Sequence, residues 1–245
     1  MLNDFQALAQ LQIRPNHRPF MRQSWQNLAF FHRKFDPDII ASLIPKPLTL
    51  HTHQSNAYIG FVPFVMANVR LAGLPPLPSQ RRFLETNIRT YVLDSEGRPG
   101  VYFFSLDCTE PLSIAFARSQ FGLNYLPALL TFNQVEDQIT YTGTRRHQPK
   151  AAYRATIQIN QEATPANPNS LEFWLVERYL LFAFRQGKLL TGQVHHAPYQ
   201  IITPTQTDCL ESMITATTRL PHHTHWDSIL YSTGVDVDVF RPTLS

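Results

Sequence analysis

Charged residues, glycine and cysteine are all scarce in this sequence. Charged residues make up 16% of the 245 residues and hydrophobic residues 43%, whereas soluble domains usually contain about 25% charged residues. Intrinsic disorder is excluded, because it requires low hydrophobicity and high net charge. The two cysteines, Cys108 and Cys209, are too few for a disulfide framework and lack CxxC spacing. We therefore expect two reduced thiols and a cytoplasmic protein.

Long apolar runs and the common enzyme motifs are also missing. No apolar stretch approaches the ~18 residues of a membrane helix, and the first twenty residues contain no apolar run typical of a signal peptide. GxSxG, GxGxxG and P-loop motifs are absent, which removes the commonest hydrolase, dinucleotide-binding and NTPase classes. The net charge of +3 comes without a dense basic run. We therefore predict no nucleic-acid partner, no membrane contact and no cofactor.

Alternating apolar and polar residues dominate the chain and predict strands. Nineteen prolines against nine glycines favour many bends over long helices. Helices are predicted over 37–44, 111–121 and 170–177. Strands are predicted over 56–71, 81–93, 100–108, 138–144, 153–160, 179–185, 188–196 and 235–240, with hairpin turns at 94–97 and 186–187. This inventory indicates a single domain over residues 1–245 with a mostly β (α+β) fold, a large, mainly antiparallel β-barrel or folded sheet carrying a few peripheral helices.

The predicted strand from Phe83 to Tyr91 has a polar face. Alternate residues of a strand point to opposite sides, so Glu85, Asn87 and Arg89 share one side at steps of about 6.5 Å. Aromatic residues bracket this row, and they would be poor choices on a solvent-exposed face. The row therefore predicts the polar wall of an internal cavity. The alternative is an internal ion-pair lattice, in which Glu85 and Arg89 pair with charges on neighbouring strands and serve only the register.

Histidines supply weaker candidates. His32 follows an aromatic run and could point inward. His195 and His196 end a predicted strand, so only one of the two rings can line a cavity. A third group has spacing compatible with metal ligands: His222, His223, His225 and Asp227. Because zinc needs three or four ligands of suitable type, we predict no metal site there.

Seven short segments are characteristic of a known family when they occur together in this order, although none of them is sufficient alone. They are Trp25-Gln-Asn-Leu-Ala-Phe-Phe-His32, Ala57-Tyr-Ile-Gly-Phe-Val-Pro-Phe64, Glu85-Thr-Asn-Ile-Arg-Thr-Tyr91, Gly100-Val-Tyr-Phe-Phe-Ser-Leu-Asp107, Glu177-Arg-Tyr179, His195-His-Ala-Pro198 and Ser232-Thr-Gly-Val-Asp-Val237. Together, over about residues 22–240, they resemble the YqjF-like family, a bacterial domain of unknown function. That family is similar in fold to acetoacetate decarboxylase. The resemblance therefore implies a barrel-like β-fold with a central cavity.

The decarboxylase pattern carries over only in part. Its cavity glutamate corresponds to Glu85, and its helix motif Arg-Glu-x-x-Gly corresponds to Arg118-Ser-Gln-Phe-Gly122. Tyr125 or Leu126 stands where that enzyme has its Schiff-base lysine. The four lysines of this chain lie in charged, Pro-flanked or turn contexts: Lys34, Lys46, Lys150 and Lys188. A Schiff base requires a lysine with a lowered pKa, so this mechanism is not implied here.

Two hypotheses follow from these residues. The first is a cavity that binds a small anionic or carbonyl-bearing molecule, with Arg89 or Arg118 as the partner of the anion and Glu85 as acid or base. The second is a non-catalytic binding or structural protein built around the ion-pair lattice. No catalytic residue and no oligomeric state is predicted. The residues predicted to bind the ligand are Glu85, Arg89, Arg118, Tyr125, His32 and Asn87.

Overall fold

The computed structural model describes residues 4–244, and strands make up most of this part of the chain. Its helices are α1 (Asp4–Leu11), α2 (Pro37–Ala41), α3 (Pro111–Phe121), α4 (Leu171–Val176) and α5 (Met213–Thr218), with a 3-10 turn over Pro78–Gln80. Its strands are β1 (Met21–Phe35), β2 (Thr49–Leu50), β3 (Ala57–Leu71), β4 (Arg82–Leu93), β5 (Pro99–Cys108), β6 (Tyr125–Val135), β7 (Gln138–Arg145), β8 (Gln148–Gln158), β9 (Thr164–Pro165), β10 (Leu180–Arg185), β11 (Lys188–His195), β12 (Gln200–Ile201), β13 (Gln206–Glu211), β14 (Ser228–Val239) and β15 (Thr243–Leu244).

Most strands join one large mixed sheet, in which neighbours follow the order β13-β8-β7-β6-β5-β10-β11-β14-β1-β3-β4-β2. Because β5 also pairs with β4, the pairings form a circuit through β4, β5, β10, β11, β14, β1 and β3. Strands β6, β7, β8 and β13 form a second layer of antiparallel pairs, joined to the circuit by the parallel pair of β5 and β6. The predicted fold class, a mostly β folded sheet with few helices, is confirmed.

The central strands of the circuit are buried on both faces. On one face, Phe61 of β3 packs edge-on against Tyr153 of the second layer, with ring centroids 4.9 Å apart. The hydroxyl groups of Tyr153 and Thr86 of β4 lie 2.7 Å apart and share a hydrogen bond. On the other face, buried residues such as Phe64 and Phe83 belong to a separate apolar cluster. This second face surrounds the candidate site.

The predicted hairpins form. Asp94 closes the turn between β4 and β5, because its carboxylate accepts hydrogen bonds from the backbone N–H groups of Glu96 and Arg98 at 3.0 and 2.9 Å. Gln186 and Gly187 join β10 to β11 with φ angles of 53° and 79°, as a tight two-residue hairpin turn requires. Both turns fix the register of the strands that they join.

A helix forms at each of the three predicted positions. Helix α3 ends before Gly122, whose φ is +62° and where a Cβ would lie 2.4 Å from the Phe184 carbonyl oxygen, so only glycine fits. Helix α4 begins after Ser170, whose hydroxyl accepts a hydrogen bond from the Phe173 N–H at 3.2 Å. The predicted helix over 37–44 is too long, because α2 ends at Ala41.

Within residues 4–244, no helix has the length and apolar character needed to cross a membrane.

Candidate functional site

A cavity of about 660 Å³ lies against the face of β1, β3, β4 and β5 that does not contact the second layer. Helix α3 and residues of β10, β11 and β14 complete its walls. Most of the lining side chains are apolar. Small-molecule sites have volumes of about 300–1,000 Å³ and are mainly apolar with a few placed polar groups, so this cavity has the size and character of a ligand site.

The polar row of β4 borders this cavity. Glu85, Asn87 and Arg89 all line it, whereas Ile88 packs in the cluster shared with the second layer. The alternation of side chains along β4 therefore places the three polar groups on the cavity side, as the sequence predicts. Cross-strand geometry also brings Tyr125, at the start of β6, to the same cavity.

Glu85 is a buried acid that bonds to Tyr125. It is 2% exposed, and the Tyr125 hydroxyl donates a hydrogen bond to its Oε2 at 2.9 Å. Burial raises the pKa of Glu85 to about 8, the negative charge of Asp107 adds to this rise, and the hydrogen bond from Tyr125 opposes it. At neutral pH the side chain is thus mostly the uncharged carboxylic acid, which can donate its proton into the cavity.

Three arginines line the cavity, Arg70, Arg89 and Arg178, and within residues 4–244 none of them forms an ion pair with a carboxylate. Arg70 is half-buried next to the exposed Leu71 and donates from Nη1 to the Asn68 carbonyl oxygen at 2.8 Å. Arg89 donates from Nη2 to the Leu175 carbonyl oxygen at 3.3 Å, and within residues 4–244 its Nε has no hydrogen-bond partner. Arg178 is 4% exposed and donates from Nε to the Trp174 carbonyl oxygen at 2.9 Å. Burial lowers the pKa of Arg178 to about 9, so it stays cationic at neutral pH.

Aromatic rings and backbone carbonyls hold the guanidinium groups of Arg89 and Arg178 in place. The Arg178 guanidinium lies over the Tyr91 and Trp174 rings, 4.7 and 4.3 Å from their centroids. The Arg89 guanidinium lies 5.6 Å from the centroid of Phe30. Cation–π contacts of this kind stabilise a guanidinium without cancelling its charge. The arginine end of the cavity is therefore electropositive.

The acid and the arginines form two separate polar centres along β4. Four residues separate Glu85 from Arg89, which corresponds to about 13 Å along a strand. Tyr125 and Asp107 modify the pKa of Glu85, whereas Arg89 and Arg178 depress the pKa of His32. Asn87 lies between the two centres, and its Oδ1 is buried without a hydrogen-bond partner within residues 4–244. A molecule that contacts both centres must be elongated.

Tyr199 closes the cavity beside the arginines. Its backbone N–H donates to Glu177 Oε1 at 2.9 Å, and its ring packs edge-on against Phe30 with centroids 5.3 Å apart. Glu177 also accepts a hydrogen bond from the Tyr179 hydroxyl. The Glu177-Arg-Tyr179 segment therefore places one cavity arginine and anchors one cavity tyrosine.

Arg118 and His32, which the sequence predicts as ligand-binding residues, do not border the cavity. Arg118 is exposed on α3, and its Nε donates to the Tyr125 carbonyl oxygen at 2.8 Å. It is absent from the lining of the cavity, and its hydrogen bonds to the Tyr125 carbonyl oxygen position the backbone of that residue.

His32 is fully buried behind Arg89. Its Nε2 lies 2.8 Å from the Tyr91 hydroxyl, which itself donates to the Leu175 carbonyl oxygen at 2.9 Å. Nε2 must therefore carry the proton. Burial and then the charges of Arg89 and Arg178 lower the pKa of His32 well below its usual value. His32 supports the arginine centre as a neutral ring.

The ion-pair lattice is not favoured by this arrangement. Within residues 4–244, neither Glu85 nor Arg89 forms an ion pair; each bonds to a neutral partner. Buried ion pairs occur elsewhere, between Arg33 and Glu211 at 2.9 Å and between Arg145 and Asp107 at 2.8 Å. Charge pairing is thus concentrated away from the cavity.

All four lysines are exposed, and none of them borders the cavity. The resemblance assigns the place of the Schiff-base lysine to Tyr125 or Leu126, and of these two residues Tyr125 lines the cavity. The C-terminal histidines do not converge either: His222 Nε2 bonds to the Glu211 carbonyl oxygen at 2.9 Å. Among residues 4–244, no three His, Cys, Asp or Glu side chains form a group that could hold a metal ion.

Sequence reasoning missed Arg178 and Tyr199. Arg178 lies within a quoted motif, but its neighbours are charged or aromatic and no periodic pattern marks it as buried. Tyr199 precedes a two-residue strand, so no alternation shows where its ring points. Whether an arginine lines a cavity and has no acidic residue near it depends on the three-dimensional arrangement of the chain. Arg178 could therefore be identified only from the fold.

Several solved structures have the same fold as this chain but low sequence identity to it. Acetoacetate decarboxylase from Legionella pneumophila matches with a TM-score of 0.66 and 11% identity, over 100% of this chain and 98% of that one. The enduracididine biosynthesis enzyme MppR, in complex with the condensation product of pyruvate and imidazole 4-carboxaldehyde, matches with a TM-score of 0.67 and 12% identity, over 93% and 90%. The chain thus has an acetoacetate decarboxylase-like fold.

Sequence comparison gives the family. The model of the DUF2071 family, described as "uncharacterized conserved protein", matches residues 22–236. The uncharacterized protein YqjF of Bacillus subtilis (strain 168) is 37% identical over 179 residues, which are 73% of this chain and 74% of that protein. The chain belongs to the DUF2071 family.

Proposed function

We propose that the protein binds a small organic anion in the cavity, with its carboxylate on Arg89 and Arg178. One observation carries this proposal: Arg89 and the buried Arg178 both line the cavity, and neither forms an ion pair with a carboxylate within residues 4–244. Arg178 is linked to Asp4 only through the ring of His51, whose Nδ1 lies 3.2 Å from Arg178 Nη1 and whose Nε2 lies 3.1 Å from Asp4 Oδ2. An unpaired buried charge is costly, and proteins retain such costs mainly at functional sites. A carboxylate matches the planar fork of a guanidinium.

Glu85 and Tyr125 form the second contact of the proposed site. Because burial keeps Glu85 mostly protonated at neutral pH, it can donate a hydrogen bond or a proton to a carbonyl oxygen of the ligand. Asn87, with its unpartnered Oδ1, lies on the same wall and can accept a hydrogen bond from the ligand. In this assignment, Glu85 acts as an acid. The enzymes of the same fold include one in complex with pyruvate, which agrees with a carbonyl-bearing ligand.

The test compares octanoate with 1-octanol, which share an alkyl chain and differ in charge. Binding is measured by isothermal titration calorimetry on the wild-type chain and on Arg89→Met. Charged hydrogen bonds contribute about 1.5–3 kcal/mol, so we expect Arg89→Met to weaken octanoate binding roughly 10- to 100-fold and to leave octanol unchanged. Arg154→Met, at an exposed position of β8, is the matched control.

The proposal fails if Arg89→Met and the control bind octanoate equally well. It also fails if the wild-type protein binds octanol as tightly as octanoate. Denaturant melts of Arg89→Met show whether the variant is folded. We expect it to lose only about 1–2 kcal/mol, because the substitution leaves no buried carboxylate unpaired.

We propose further that the protein acts in the cytoplasm as one domain and without a nucleic-acid partner. Both cysteines are free, and Cys108 is buried, which suits a reducing compartment. Fractionation of the native host with an antibody to the protein tests the location. Recovery outside the cytoplasm would contradict it.

A further inference from the structure

The buried polar groups of the cavity lie away from its opening. Glu85, Asn87, Tyr125, Arg178 and Tyr199 are each 8% exposed or less, and all of them line the cavity. Two polar residues nearer the opening pair with each other, since the Ser113 hydroxyl donates to Gln80 Oε1 at 2.7 Å. Gln23 and Arg70 also line the cavity and are half-buried, and Arg70 donates from Nη1 to the Asn68 carbonyl oxygen at 2.8 Å. The buried polar contacts offered to a ligand are thus concentrated away from the opening.

The opening is rimmed by apolar side chains that are exposed to solvent. They come from the segment 71–77 and from α3, and each of them lines the cavity. Their exposed fractions are 42% for Leu71, 57% for Leu74, 61% for Leu77, 58% for Leu112 and 37% for Phe116. Single exposed apolar residues are normal, but a contiguous group marks a binding surface. This group continues directly into the apolar walls of the cavity.

The cavity as a whole, from the rim to the polar end, is larger than a three- or four-carbon acid would fill. At about 30 Å³ per water molecule, the 660 Å³ cavity would hold about twenty waters. Buried water needs two to four polar partners, and the apolar walls supply none. Displacing such poorly bonded water with an apolar group increases affinity.

From this arrangement we infer that the ligand is an amphiphile, an organic acid with a hydrocarbon tail. This inference rests on the proposed anion site and names its substrate class. The carboxylate lies on Arg89 and Arg178 at the deep end, a mid-chain oxygen contacts Glu85, and the tail extends past Phe83 and Ala117 to the leucine rim. The separation of about 13 Å along β4 between the acid and the arginine suits an elongated molecule of this kind.

The experiment measures the dissociation constants of butanoate, hexanoate, octanoate and decanoate for the wild-type protein. We expect each added methylene to tighten binding about fourfold, which corresponds to about 0.8 kcal/mol, until the cavity is filled. Equal affinity for butanoate and octanoate would overturn the inference. If butanoate binds and requires Arg89, the proposed anion site stands even though the inference fails.

A matched pair of substitutions on α3 tests where the tail lies. Ala117 lines the cavity, whereas Ala115 is exposed and does not. We expect Ala117→Leu to weaken octanoate binding at least fivefold while butanoate binding is unchanged, and Ala115→Leu to change neither. Equal losses for both acids, or none for either, would contradict the proposed tail position. Thermal melts confirm that both variants are folded.

Two further outcomes separate the inference from its premise. If affinity rises with chain length for acids and alcohols alike and Arg89→Met has no effect, the anion site is wrong and the apolar channel alone is supported. If no acid binds and the protein self-associates in size-exclusion chromatography, the rim is an interface between copies and the inference is wrong.

Discussion

Replacing Glu85 with glutamine should make the stability of the protein less sensitive to pH. The side chain is 2% exposed, and burial raises its pKa from an ordinary value of 4.5 to about 8. Between these two values, the folded protein holds a proton that the unfolded chain releases. The free energy of unfolding therefore falls as pH rises through this window, and the loss stops above the folded-state pKa.

The size of the effect follows from the shift. One pH unit within the window changes the free energy of unfolding by about 1.4 kcal/mol, so between about pH 5.5 and pH 8 the wild type should lose about 3 kcal/mol through this group. Glutamine has no proton to release, and its carbonyl can accept the hydrogen bond from Tyr125. The difference in free energy of unfolding, Glu85→Gln minus wild type, should thus rise by about 3 kcal/mol over this range.

The assay is urea unfolding of both proteins at half-unit steps of pH. Other titrating groups, including His32 and Glu177, are present in both proteins, so their contributions cancel in the difference. Glu162→Gln, at an exposed position, is the control and should follow the wild-type profile. A difference that stays constant within about 0.5 kcal/mol would refute the reasoning, because it would mean that Glu85 ionises as it does in an unfolded chain.

Three further predictions follow from the same contacts. Tyr125→Phe removes the hydrogen bond that opposes the raised pKa of Glu85; the titration of Glu85, followed by carboxyl NMR, should move to higher pH at a stability cost of about 1 kcal/mol, and an unchanged titration would contradict the contact. Glu211→Gln leaves Arg33 as a buried cation without its partner and should cost about 3–5 kcal/mol in urea melts, whereas a loss below about 1 kcal/mol would show that the pair is unimportant. Borohydride reduction in the presence of acetoacetate should leave the protein mass unchanged, because all four lysines are exposed and lie outside the cavity; a lysine adduct in the mass spectrum would overturn this.

The sequence predicts the side-chain orientations that strand alternation determines. The residues of β4 alternate strictly, so the cavity wall of Glu85, Asn87 and Arg89 follows from the pattern alone. Strand β1 was not predicted, because it is buried on both faces over much of its length and its apolar residues do not alternate. Strand β6 was not predicted either, because it begins with the run Tyr125 to Leu130, in which apolar and polar residues do not alternate.

The sequence pattern does not predict which residues from distant segments of the chain contact each other. No sequence pattern separates Arg118 from Arg178, yet Arg118 bonds to the Tyr125 carbonyl oxygen, whereas Arg178, two residues after the end of α4, lines the cavity. His32 and Arg89 meet across Gly60, where a Cβ would lie 3.3 Å from atoms of both side chains. Such placement depends on the register of three strands, which no local pattern reveals.

In the proposed complex, Arg89 and Arg178 bind the carboxylate of the ligand, and its hydrocarbon tail points to the leucine rim at the opening of the cavity. A crystal structure of the protein soaked with octanoate tests this arrangement most directly. We predict density for the carboxylate within about 3 Å of the guanidinium groups of Arg89 and Arg178, with the alkyl chain directed along the cavity toward the leucine rim. Octanoate bound with its carboxylate at the rim, or bound outside the cavity, would contradict the account.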